Sequence, residues 1–148
     1  MPVAPRLTLL LRLKASPETV FALWTKADHV RQWWGGTKGR AMMAQLDPRP
    51  GGRFWVPVRP AEGPGYDTYG IFSDVIRGEA LIIDWETDNA RPSRLVIQLL
   101  KLGDWTEITI THRNFPSEAA RDLQLARWQD SLVALETYAA TIGPDDED

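Results

Sequence analysis

Residues 106–142 read TEITITHRNFPSEAARDLQLARWQDSLVALETYAATI, a stretch in which one periodicity hands over to another. In its first part Ile108, Ile110 and His112 alternate with Thr109, Thr111 and Arg113, the period of two that sends neighbouring side chains to opposite faces of a strand. Past Pro116 and Ser117, either of which suits a helix start, Leu125, Trp128, Leu132, Leu135, Ala139 and Ile142 recur at spacings of three and four. They form one stripe along a helix, with Asp122, Gln124, Gln129, Glu136 and Thr137 on the opposite face. Burying the Leu and Ile side chains of the stripe contributes about 1.5–3 kcal/mol each, so the helix needs a surface to lie on. The strand pattern before it names that surface as a sheet.

The preceding segment supplies the rest of the sheet. Leu81, Ile83 and Trp85 alternate with Ile82, Asp84 and Glu86, and Leu95, Ile97 and Leu99 with Val96, Gln98 and Leu100. Tyr66 to Ile76 is extended up to a turn at Arg77-Gly78, after a Pro- and Gly-rich loop from Pro60 to Gly65. Before that, Met42, Ala44 and Leu46 alternate up to the turn Asp47-Pro48-Arg49-Pro50-Gly51-Gly52, and Phe54, Val56 and Val58 alternate after it. Pro57, lacking an N–H, predicts an edge position or a bulge in that strand. The connections are too short for crossover helices, so the strands form an antiparallel meander rather than a parallel sheet.

The N-terminal part opens with a strand and then changes period. Leu7, Leu9, Leu11 and Leu13 share the core face of the strand. Ser16 is placed to cap a helix whose first residue is Pro17, with Val20, Phe21 and Trp24 on one side. Thr25 followed by Asp28 predicts the cap of a second short helix carrying Val30, Trp33 and Trp34, closed by Gly35-Gly36. The whole is an α+β chain: one strand, two short helices, six further strands and a long helix, about seven strands in all.

Composition narrows the class of partner. At 148 residues, 43% hydrophobic and 25% charged, the chain suits one globular domain spanning 1–148, with Gly143 to Asp148 as an acidic, solvent-directed tail. The net charge of −3 and the lack of a basic run argue against nucleic acid. With no cysteine there is no disulfide or thiol nucleophile, which fits a cytoplasmic location. The apolar run from Leu7 to Leu13 is too short and too interrupted for a signal peptide or a membrane span.

Chemistry-bearing residues are few. His29 falls in the first turn of the second helix and reads as a solvent-exposed position. His112 shares the inward face of Ile108 and Ile110, which makes it a hydrogen-bonded histidine at a cavity rim, a polar anchor, or the one candidate acid/base. A base would need an orienting carboxylate, and Asp84 and Glu86 alternate with inward residues and so face solvent. Two separated histidines without HxH or HExxH spacing predict no metal site. Gly51-Gly52 leads into a strand and Gly35-Gly36 closes a helix, so neither is a phosphate loop and no cofactor is expected. No Ser has the Gly-x-Ser-x-Gly context of a hydrolase nucleophile.

Several stretches together resemble the Hsp90-ATPase-activator-homologue (AHSA1-like) family of the START-like, or SRPBCC, superfamily. They are Ala15-Ser16-Pro17-Glu18-Thr19-Val20-Phe21 with Trp24-Thr25, then Trp33-Trp34-Gly35, Asp47 with Gly51-Gly52-Arg53, and Gly70. Asp84-Trp85, the run from Thr106 to His112 and on to Phe115, and Trp128 with Leu132 and Leu135 complete the set. Lys26-Ala27 stands where many relatives have Asp-Pro, and Arg127 where many have Gly, a bulky replacement expected to alter either the cavity mouth or a partner surface.

The resemblance implies a helix-grip fold, a curved antiparallel sheet wrapped around the C-terminal helix. It also implies an internal cavity of roughly 300–1,000 Å³ for a small hydrophobic or aromatic molecule. Its expected lining is Trp33, Trp34, Phe54, Val56, Tyr69, Trp85, Ile97, Ile110, His112, Trp128 and Leu132, with Gln98 as a further polar group. Two alternatives accompany this reading: a cyclase or dehydratase acting on polyketide-like substrates, and an Hsp90 co-chaperone-like interaction protein. Either a monomer or a homodimer is compatible with it.

Overall fold

The computed structural model describes residues 4–86 and 92–142, so the acidic segment 143–148 lies outside the described residues. Strand β1 (Leu7–Leu13) is followed by helices α1 (Pro17–Thr25) and α2 (Ala27–Trp33). Then come β2 (Gly39–Ala41), β3 (Gln45–Leu46), β4 (Arg53–Pro60), β5 (Tyr66–Ile76), β6 (Ala80–Trp85), β7 (Ser93–Leu102), β8 (Trp105–Arg113) and the long helix α3 (Glu118–Ala139). The strands form one curled sheet in the order β1-β8-β7-β6-β5-β4-β2, with β3 paired to β4. Every pairing is antiparallel. This is the helix-grip arrangement, the sheet forming a half-barrel along which α3 lies.

Caps and turns explain most of the boundaries. Ser16 Oγ accepts the Thr19 N–H at 3.1 Å, and Pro17 occupies the first helical position, where a missing N–H costs nothing. Ser117 caps α3 in the same way through the N–H of Ala120. Gly52 is required by close approach: a Cβ there would stand 1.8 Å from the carbonyl oxygen of Asp47. Among the described residues, no helix is long and apolar enough to cross a membrane.

Two local expectations are corrected. Thr25 does not cap α2; it is the last residue of α1, its hydroxyl donates back to the Phe21 carbonyl at 2.8 Å, and Lys26 takes the cap position without a side-chain bond. Met42, Ala44 and Leu46 do not form one strand. The segment breaks into β2 and β3 opposite Pro57, on the side where proline has no N–H to give, and Met42 N–H donates to the Pro57 carbonyl at 2.9 Å.

The helix-covered face of the sheet carries the core. Phe54, Val56, Phe72, Ile83, Leu95, Ile97, Ile108 and Ile110 are buried there against Leu23, Trp24 and Trp33 of α1 and α2. Helix α3 adds Trp128, Leu132 and Leu135 from the predicted stripe, together with Ser131, which the stripe did not include. Much of the space under α3 is filled by aromatic rings in edge or tilted contact. Trp24 meets Trp33 at 4.7 Å between centroids, and Trp34 meets Phe54 at 5.2 Å and Trp128 at 5.4 Å.

Candidate functional site

A cleft of about 810 Å³ opens at the end of the sheet where α3 begins. One wall is the start of β5, from Gly65 to Tyr69; the other is the first half of α3, through Ala120, Gln124 and Arg127. Its floor consists of Trp34, Trp85, Ser93, His112 and Trp128. Sheet register brings these together. Trp85 pairs with Ser93 across β6 and β7, Leu95 pairs with His112 across β7 and β8, and Gly70 pairs with Trp85 across β5 and β6. Gly70 is what lets the Trp85 indole lie close to β5: a Cβ there would stand 3.0 Å from Trp85 Cδ1 and 2.6 Å from the Asp84 carbonyl oxygen.

His112 is fully buried and both its ring nitrogens are engaged. Trp128 Nε1–H donates to Nδ1 at 3.1 Å, and Nε2 lies 2.8 Å from Ser93 Oγ. An indole nitrogen can only donate, so Nδ1 is unprotonated, Nε2 carries the hydrogen, and Ser93 Oγ is its acceptor. Burial also lowers the His112 pKa to about 3, which keeps the ring neutral. Trp85 meets the ring in an edge contact and Phe115 in a tilted one, at centroid distances of 4.7 and 4.4 Å.

This arrangement does not suit a general base. The unprotonated nitrogen is occupied by Trp128, and no carboxylate among the described residues is bonded to the ring. Asp84 is held on the other face of the sheet by a two-point pair with Arg94, at 2.8 and 3.1 Å. Glu86 is exposed, as expected from the alternation, yet it also lines the rim of the cleft.

At the mouth, the Arg127 guanidinium sits 3.7 Å from the centroid of the Tyr66 ring, linking the two walls. Burial raises the Tyr66 pKa, the Arg127 charge opposes that rise, and Asp130 adds to it. Asp130 anchors α3 to the segment after α2 by accepting from the Thr37 hydroxyl and, at 3.1 Å, from the Lys38 N–H. Deeper in, Trp34 Nε1–H donates to Thr68 Oγ1 at 3.1 Å. Trp85 Nε1 is buried with no partner among the described residues, as is Trp24 Nε1 outside the cleft.

Of the residues named from sequence as cavity lining, Trp34, Tyr69, Trp85, His112 and Trp128 line this cleft. Trp33, Phe54, Val56, Ile97, Ile110 and Leu132 stand elsewhere in the packed core. Gln98 is corrected outright: it is exposed on the outer face, because Leu95 and Ile97 take the inward positions. His29 is also half-buried rather than exposed, with Nδ1 2.7 Å from the Tyr138 hydroxyl. Tyr66, Thr68 and Ser93 were missed. Carrying the Leu95, Ile97 alternation back two residues would have put Ser93 on the inward face, next to the strand of His112.

The family model for activator of Hsp90 ATPase homolog 1-like proteins matches residues 14–140. Among solved structures, the chain is similar to a Chromobacterium violaceum protein at 20% identity and a TM-score of 0.82, over 90% of this chain and 96% of that one. An AHSA1-like protein of Aeromonas hydrophila matches at 19% identity and a TM-score of 0.78, over 93% of either chain. An HSP90 activator of Plasmodium falciparum matches at 16% identity and a TM-score of 0.73, over 91% of this chain and 96% of that one. At these identities the likeness is one of fold. No curated protein matches the chain.

Proposed function

The chain belongs to the activator of Hsp90 ATPase homolog 1-like family, and from that premise we propose that it binds a small hydrophobic or aromatic molecule in the cleft above His112. The observation that carries this reading is the floor itself: a space of about 810 Å³ set on indole and imidazole rings, one of them with an unmet N–H. Flat rings offer contact area to a planar ligand, and a buried unpaired donor favours a ligand that supplies an acceptor. On this reading the protein is a cytoplasmic binder that works without a cofactor. A neutral, doubly bonded His112 supports binding over acid/base catalysis.

Titration of the protein with a panel of neutral lipophilic aromatics, read by tryptophan emission and by thermal melting, tests this. Binding in the cleft changes the emission of Trp85 and Trp128 and raises the melting temperature. A panel that alters neither overturns the reading.

A further inference from the structure

The floor of the cleft has a hydrogen-bonding polarity, set by the three indoles around it. Trp128 fixes the His112 tautomer, so the imidazole spends its one N–H on Ser93 Oγ at 2.8 Å. Ser93 therefore accepts within the protein, and its own hydroxyl hydrogen has no second partner among the described residues. Thr68 repeats the pattern: its hydroxyl accepts from Trp34 Nε1 at 3.1 Å, leaving its hydrogen to donate. Both hydroxyls belong to buried residues that line the cleft. The third group is Trp85 Nε1–H, which can only donate and has no partner among the described residues; the nitrogen itself is closed to solvent beneath the floor, and Trp85 lies directly opposite Ser93 in the β6 and β7 register.

Resting on the binding reading above, we infer that the cleft selects a planar aromatic ligand with a neutral carbonyl oxygen, held by Ser93 Oγ–H and, once the indole edge turns toward the ligand, by Trp85 Nε1–H, with Thr68 as an accessory donor. A carbonyl has two lone pairs and no hydrogen of its own, so it can satisfy two donors without creating an unpaired one. A carboxylate fits less well. The rim carries the carboxylates of Asp67 and Glu86, the Arg127 cation is engaged on Tyr66, and the neutral His112 supplies no positive charge to the floor. Ser131, across on α3, is a further buried hydroxyl of the lining, and it can serve a second polar group on the ligand.

The test compares three probes of one shape by isothermal titration: methyl naphthyl ketone, isopropenylnaphthalene, which replaces the carbonyl by C=CH₂, and naphthoate. The ketone is expected to bind about tenfold more tightly than the hydrocarbon, as expected when it supplies acceptors for buried donors, and more tightly than naphthoate. Ser93→Ala and Trp85→Phe should each shrink the ratio of ketone to hydrocarbon affinity several-fold, the ratio cancelling any loss of ring contact that both probes share. The infrared carbonyl stretch of the bound ketone should lie below its value in alkane and move back up in Ser93→Ala, a readout that needs only one of the two variants to fold. Equal affinity for ketone and hydrocarbon, or tighter binding of naphthoate, overturns this inference and leaves the binding reading standing. Failure of all three probes to bind overturns both.

Discussion

Trp128 Nε1 donates to His112 Nδ1 across 3.1 Å, and that single bond determines which of the imidazole nitrogens holds the proton. Helix α3 thereby controls the chemistry of a residue on β8. In the folded protein the His112 ring should be the neutral Nε2–H tautomer, which the two ring ¹⁵N shifts report directly. Trp128→Phe keeps a ring in place but removes the donor. It should destabilise the fold by about 1–3 kcal/mol in urea melts, because Nδ1 becomes a buried acceptor without a partner, and it should release the tautomer preference. A variant with unchanged ¹⁵N shifts would show that something other than Trp128 sets the tautomer.

The same burial predicts a pH dependence. His112 in the folded chain has a pKa of about 3 against an ordinary 6.5. Its folded value is depressed, so between these limits the unfolded chain binds a proton that the folded chain refuses. The contribution to stability is complete above pH 6.5 and is lost as the pH falls toward about 3, at up to about 1.4 kcal/mol per pH unit. Carboxylates titrate in the lower part of this window, so the comparison must be with a variant. His112→Gln can still accept from Trp128 and donate to Ser93, yet it does not titrate. Urea midpoints measured from pH 7 to 4.5 should fall more steeply for the parent than for His112→Gln, and parallel slopes would rule the linkage out.

Gly70 faces Trp85 across the β5 and β6 ladder with room for no side chain. A Cβ would lie 2.6 Å from the Asp84 carbonyl oxygen and 3.0 Å from Trp85 Cδ1, so Gly70→Ala must displace the backbone or tilt the indole. The expected cost is about 1–3 kcal/mol, as for other overpacked sites. Because Trp85 is part of the cleft floor, the variant should also shift tryptophan emission and weaken binding of an aromatic ligand. Loss of stability with emission and affinity intact would mean that the strand absorbs the strain and the indole does not move.

Much of the fold was legible because it is written in short-range rules. Ser16-Pro17 and Ser117 mark helix starts, and the alternation in β6, β7 and β8 sorts the buried residues from the exposed ones. The errors came where one element answered to another. The strand around Met42 breaks because of Pro57 on its neighbour, and Thr25 serves the helix it ends rather than the one it precedes. The site was harder for the same reason. Trp33 and Phe54 are as aromatic as Trp34 and Trp85, but spacing along the chain does not tell which rings will fill space against each other, at 4.7 Å for Trp24 and Trp33, and which will border a gap. Ser93 begins a strand, and Thr68 and Tyr66 follow a Pro- and Gly-rich loop, positions that become meaningful only when α3 is laid over them.

Arg127 stands at the mouth of the cleft, and its stacking on Tyr66 gives that position a measurable consequence. The guanidinium lies 3.7 Å from the ring centroid and spans from α3 to β5. Arg127→Ala removes the link and should change stability by less than about 1 kcal/mol, since the contact is at the surface. It should, however, alter access: association and dissociation of a cleft ligand, followed by stopped-flow emission, should both speed up, with affinity changed much less than either rate. The phenol gives an independent reading. The Tyr66 pKa is raised by burial and held back by the Arg127 charge, so removing the charge moves it further up. With three tyrosines in the chain, the phenolate absorbance titration can be resolved by comparison with Tyr66→Phe. A Tyr66 pKa that stays where it is, together with unchanged ligand rates, would mean that the Arg127 side chain does not rest on the ring in solution.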